Sequence, residues 1–122
     1  MAAQRKRGRL SRSGDFDRVY REGSSHANRF FVLYCFPRGR LPDGGVRLGV
    51  SVGRRVGGSV QRNRVKRAVR EAFWKLDAGP GFEYDFVVVA RPDSAGLVER
   101  EGTTGVEAAL SALVAEAARE DA

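Results

Sequence analysis

Between Arg62 and Arg70 the chain reads Arg-Asn-Arg-Val-Lys-Arg-Ala-Val-Arg, nine residues with five cations and no carboxylate. On an α-helix, Asn63, Lys66, Arg67 and Arg70 share one face while Val65, Val69, Ala72, Phe73 and Leu76 line another. The chemistry such a helix offers is binding of a polyanion. Ser59, following Gly57 and Gly58, is the expected N-cap, which puts Arg62 in a first turn where the macrodipole penalises a cation by about 0.3–1 kcal/mol. A bound phosphate reverses that penalty. Solvated helix faces usually alternate in sign, but only Glu71 follows this run, so the pattern points to nucleic acid. Ahead of it, Gly53-Arg54-Arg55-Val56-Gly57-Gly58 is a basic, glycine-rich loop whose amides can approach phosphates. The loop lacks a nucleotide-hydrolase signature.

Aromatic residues supply the second candidate surface. Phe30, Val32, Tyr34 and Phe36 alternate with Phe31, Leu33 and Cys35, so one face of a strand enters the core. The other face can offer Tyr34, beside Phe16 and Tyr20, as a platform on which bases stack. Core packing is the commoner fate of such rings, and the neighbouring cations are what favour the platform.

Independent catalysis finds little support. The basic part of the chain carries only Asp15, Asp17, Glu22, Asp43 and Glu71, too scattered for a two-metal site, and Asp15 and Asp17 point to different faces of their helix. The single histidine, His26, has no partner triad, and the single cysteine, Cys35, is expected in the core rather than in a disulfide or metal site.

Composition agrees. The net charge is +7, but residues 1–75 hold 19 Lys or Arg against 5 Asp or Glu, whereas residues 76–122 hold 3 against 10. The anion-binding surface therefore belongs to the first two-thirds. No stretch suits a secretory signal or a bilayer span, so a cytoplasmic location is expected.

Positioning these groups requires a small set of elements. Residues 1–12 read as a flexible basic arm and residues 13–119 as one RNA-binding domain. Ser13 can cap a helix carrying Phe16, Val19 and Tyr20, which Gly23 ends. Strand-like runs follow at Asn28–Phe36, Val46–Val52 and Tyr84–Ala90, the first two expected to pair antiparallel across the turn-rich Pro37–Gly45. The basic helix lies between the second and third, and an amphipathic helix begins at Gly105. The coarse order is α-β-β-α-β-α, a compact α+β sandwich with helices on one face of a small sheet.

Four ordered blocks, DFDRVYREG, NRFFVLYCF, RLGVSVGRRVGGSVQRNRVKRAVREAFW and DFVVVARP, give the chain from about Arg9 to Leu113 a specific resemblance. It resembles the protein subunit of bacterial ribonuclease P. The resemblance implies a two-layer α+β fold with a small mixed sheet in the order α-β-β-β-α-β-α. It also implies a left-handed βαβ crossover, as in the second domain of ribosomal protein S5, against the general right-handed rule. It implies a protein that binds a catalytic RNA subunit and the 5′ leader of precursor tRNA, in an endoribonuclease whose Mg2+-dependent chemistry is carried by the RNA. Carried onto this chain, Arg54, Arg55, Arg62, Asn63, Arg64, Lys66, Arg67 and Arg70 would face RNA, and Phe16, Tyr20 and Tyr34 would form the leader cleft. No catalytic or metal-binding residue is expected in the protein, and neither DNA nor membrane is an expected partner. The C-terminal helix, with Glu116, Glu120 and Asp121, is expected to lie away from RNA. The competing readings are a ribosomal or ribosome-assembly RNA-binding protein, and a DNA-binding regulator, which would need a dimer that no heptad supports.

Overall fold

The computed structural model describes residues 7–10, 13–39, 46–76 and 83–120. Their elements are strand β1 (Arg7–Arg9), helix α1 (Ser13–Glu22), strands β2 (Ser24–Ala27), β3 (Phe31–Gly39) and β4 (Val46–Val52), helix α2 (Ser59–Lys75), strand β5 (Glu83–Ala90) and helix α3 (Ser94–Glu120). A single 3-10 turn, Arg54–Val56, joins β4 to α2. The five strands form one mixed sheet in the order β1-β4-β5-β3-β2.

The continuously apolar run becomes the central strand. Phe86, Val87 and Val88 are all buried, because β5 is covered on both faces and flanked on both sides. It runs parallel to β4 and antiparallel to β3. The expected direct pairing of β3 with β4 is therefore corrected: their relative direction is antiparallel, but β5 lies between them. An apolar strand gains most by taking the position with two neighbours and two covered faces. The turn-rich segment offered as their hairpin lies, over residues 40–45, outside the described residues.

The aromatic run forms β3, and a separate short strand that was not read from the sequence, β2, precedes it across a turn set by Asn28. Its Oδ1 accepts from the amides of Phe30 and Phe31, each at 2.9 Å, and its Nδ2 donates to the Ala109 carbonyl at 3.0 Å. This local turn folds β2 antiparallel onto β3 and ties the corner to α3. Within the stretch read as a flexible arm, residues 7–9 form β1, parallel to β4, and the Leu10 amide donates to the Leu48 carbonyl at 2.9 Å. Residues 1–6 and 11–12 lie outside the described residues.

Helices occupy both faces, where one face was expected. Helices α2 and α3 cover Phe31, Leu33, Cys35, Val46, Leu48, Val52, Phe86 and Val88, which with Val65, Val69, Phe73, Val106, Leu110 and Leu113 form the main core. Burial of each large apolar side chain there stabilises the fold by roughly 1.5–3 kcal/mol. Helix α1 packs on the opposite face, where Val19 meets Leu10 and Val87. Its amphipathic stripe is short, and nothing local indicates which sheet face receives it.

Helix α3 begins eleven residues before the expected Gly105, at Ser94, and is kinked at Gly102, whose φ of 61° and ψ of −151° are not helical. The glycines and threonines around the kink interrupt the periodicity that would have revealed the first segment.

Candidate nucleic-acid interface

The α1 face of the sheet builds the aromatic surface. Phe16 and Tyr20, four residues apart, project from the same side of α1, with ring centroids 6.2 Å apart. Tyr34 rises from β3 to meet Tyr20 edge-on at 4.8 Å and 73°. All three sequence-predicted rings are thus together, with Tyr20 still 38% exposed. Phe36 and Val89 extend the apolar floor. Ser51 of β4 adds a polar contact, hydrogen-bonding the Tyr20 phenol. Burial pushes the Tyr20 pKa above its ordinary value, and the Ser51 bond opposes that rise. Ser51 was missed from sequence, although the period of two along β4 places it on the face of Arg47 and Gly49.

Close approach of α1 depends on Gly49. A Cβ on that residue would stand 2.6 Å from Phe16 Cζ and 3.2 Å from Leu10 Cβ, so only glycine lets the ring lie on the strand. Polar contacts fix the other side of α1. Arg47 of β4 pairs with Asp85 of β5 and reaches Asp15 in the first turn of α1 at 3.6 Å.

The cations occupy the opposite side of the sheet. Helix α2 begins at Ser59, but Gly58 is its N-cap, with the Arg62 amide donating to the Gly58 carbonyl at 2.9 Å. This shifts the expected cap by one residue. The Gln61 side chain reaches back to accept from the Gly58 amide at 3.0 Å, satisfying the N-cap amide without the serine. Val65, Ala68, Val69, Ala72 and Phe73 are buried, leaving Asn63, Arg64 and Arg67 exposed and Arg62, Lys66 and Arg70 partly so. Arg54 and Arg55 stand exposed in the turn before the helix.

Among the described residues no carboxylate pairs with these cations. Glu71, the one nearby acid, accepts instead from Thr103 Oγ1 of α3 at 3.2 Å. Arg62 Nε is enclosed without a hydrogen-bond partner. Asn63, Arg64 and Arg67 line a groove of about 430 Å3 between α2 and α3. Glu71 also lines the groove, so its cations outnumber its acid without an ion pair between them, and the concave, net-positive surface suits a phosphate backbone.

The two surfaces connect through the end of β4. Ser51 touches the aromatic cleft, and Arg54 follows it by three residues, a backbone reach of at most about 10 Å. Cys35 is buried in the core as expected, and His26 lies on β2 with Nδ1 3.6 Å from Glu116 of α3. No group of three or more His, Cys, Asp or Glu that could hold a metal occurs among the described residues, and no described helix is long and apolar enough to cross a membrane.

Known proteins are similar in fold and sequence. The chain is 41% identical over 103 residues to the ribonuclease P protein component of Shouchella clausii, spanning 84% of this chain and 83% of that one. The corresponding protein of Halalkalibacterium halodurans is 40% identical over 93 residues, 76% of each chain. The solved structure of the Staphylococcus aureus RNase P protein superposes with a TM-score of 0.72 at 32% identity, covering 89% of this chain and 94% of that one. The Thermotoga maritima RNase P protein gives 0.71 at 32% identity, covering 85% and 92%. The family model described as Ribonuclease P matches residues 5–116, which include both surfaces, and the chain belongs to the ribonuclease P protein family.

Proposed function

We propose that this chain is a two-sided RNA adaptor within a ribonucleoprotein endoribonuclease, holding the catalytic RNA subunit and the 5′ leader of precursor tRNA at once. The observation that carries the reading is the placement of an unneutralised cationic helix and a three-ring cleft on opposite faces of one sheet, linked through the Arg54–Arg55 turn. One RNA can dock on each face without competing for side chains. Phe16, Tyr20 and Tyr34 would stack leader bases, each contact worth about 1–3 kcal/mol. Arg54, Arg55, Arg62, Asn63, Arg64, Lys66, Arg67 and Arg70 would engage phosphates of the RNA subunit and of the adjoining substrate.

The described carboxylates do not suit a metal-dependent nuclease site. Asp85 and Asp15 are engaged by Arg47, and no acidic cluster faces the cations. In this reading the magnesium ions belong to the RNA subunit, where they activate water. The protein's own residues position the leader and screen phosphate repulsion. The setting would be cytoplasmic, where tRNA precursors are processed.

The deciding experiment is 5′-leader cleavage of a precursor tRNA at low magnesium by a bacterial ribonuclease P RNA, with and without this protein, beside a protein-only control. Stimulation with a silent protein-only lane supports the reading. Absence of stimulation with a folded, RNA-binding protein and a matched RNA subunit would refute it, and cleavage by the protein alone would move the chemistry onto this chain.

A further inference from the structure

On the flank of α2 that faces the edge of the sheet, a second groove, of about 260 Å3, is lined by Gly8, Arg9, Leu48, Arg70 and Trp74. It is separate from the α2–α3 groove and lies across the sheet from the aromatic cleft, since Leu48 belongs to the core beneath α2 and α3. Register explains how Arg9 arrives there. Strand β1 pairs Arg9 with Leu48, so both side chains share the α2 face, and the Leu10 amide bond to Leu48 secures the strand end.

Among the described residues, every charge lining this groove is positive. Arg70 is partly buried, and its pKa is lowered by burial first and by the Arg9 cation second. Folding therefore gathers two guanidiniums against their mutual repulsion, an arrangement that an anion converts from cost to gain. Two planar forks match the oxygens of one phosphate. Beside them the half-buried Trp74 ring packs edge-on against Phe73 at 5.3 Å and 79°, which fixes its plane. The volume is below the roughly 300–1,000 Å3 of a drug-sized pocket. A phosphodiester with one nucleoside is the ligand class that matches both the charge and the ring.

We propose that Arg9, Arg70 and Trp74 form a nucleotide subsite for the RNA subunit, the two arginines clamping one phosphodiester and the adjoining base lying on the indole. The proposal rests on the ribonucleoprotein reading and extends it to two residues, Arg9 and Trp74, outside the basic helix run. The RNA subunit is the source rather than the leader, because the leader cleft opens on the other face of the sheet.

Trp74 is the chain's single tryptophan and lines this groove, so a change in tryptophan emission on binding comes from this side chain. Ribonuclease P RNA is titrated into the full-length protein at several salt concentrations, following Trp74 emission and affinity, for wild type, Arg9→Gln, Arg70→Gln and the double variant, with circular dichroism to confirm folding. The expected result is quenched emission in wild type and affinity weakened about tenfold by either substitution. The double variant should bind about as weakly as the singles, with the salt slope falling by about one phosphate contact in all three. Additive losses with a slope falling by about two contacts would overturn the shared clamp. Unchanged emission and unchanged Arg9→Gln affinity would overturn the subsite while leaving the ribonucleoprotein reading intact. Failure of wild type to bind the RNA would instead defeat the underlying reading. A single-stranded leader oligonucleotide alone should leave the emission unchanged, and quenching by it would overturn the assignment to the RNA subunit.

Discussion

The Arg47 guanidinium spans β4 and β5 to meet the Asp85 carboxylate with two hydrogen bonds, Nε to Oδ1 at 2.8 Å and Nη2 to Oδ2 at 2.6 Å. Asp85 is 1% exposed, whereas the Arg47 side chain keeps 31%, so the pair contributes to the charge compensation of a buried acid. The bonds to Asp85 also raise the Arg47 pKa against the lowering effect of burial. Register places Gly8 of β1 beside Arg47, and the guanidinium reaches on to Asp15 of α1. One side chain thus joins three strands and the helix that carries Phe16 and Tyr20.

Arg47→Met should therefore destabilise the protein by about 3 kcal/mol, near the lower end for breaking a buried pair because Arg47 is partly solvated. Urea unfolding measures this directly. Arg47→Met combined with Asp85→Leu should recover most of the loss, since the penalty comes from a buried carboxylate that has lost its Arg47 partner. A double variant as unstable as the single would contradict that account.

Gly49→Val should push Phe16 off the sheet, costing about 1–3 kcal/mol through overpacking. Because α2 lies on the other face, affinity for the RNA subunit should hold while leader-dependent affinity falls. Binding assays with precursor and mature tRNA in the holoenzyme separate the two effects.

Tyr34→Ala removes the ring that meets Tyr20 edge-on. Precursor tRNA should bind the holoenzyme more weakly by about 1–3 kcal/mol, and mature tRNA unchanged. Equal losses for both substrates would remove Tyr34 from the leader cleft.

Tyr20 ionises above the ordinary tyrosine range, chiefly because burial disfavours its phenolate. A raised folded-state pKa contributes stability that is complete below the unfolded value of 10.0 and is lost as pH rises through the folded one. Alkaline unfolding of wild type should thus show a pH dependence above 10 that Tyr20→Phe lacks, with the matching absorbance change at 295 nm. Identical alkaline profiles would disprove the coupling.

Gly102 holds a conformation that residues with a Cβ rarely adopt, although open space surrounds it. Gly102→Ala should cost about 1–3 kcal/mol from backbone strain alone. Thermal unfolding checks this, and a neutral substitution would show that the kink at α3 can straighten.

The chemistry was legible in the chain because it is local. Helical period alone put Asn63, Lys66, Arg67 and Arg70 on one face and Val65, Val69 and Phe73 on the other, and strand alternation alone separated Tyr34 from Leu33. The four ordered blocks then identified the family. Non-local choices were not legible. Whether β3 meets β4 or β5, which face receives α1, and that residues 7–9 extend the sheet beside β4 are decided by competition for apolar cover among segments far apart in sequence. The Gly49–Phe16 contact, the Arg47–Asp85 pair and the meeting of Arg9 with Arg70 depend on register between those segments. Periodicity records which face a side chain takes, whereas only the packed sheet decides what that face meets.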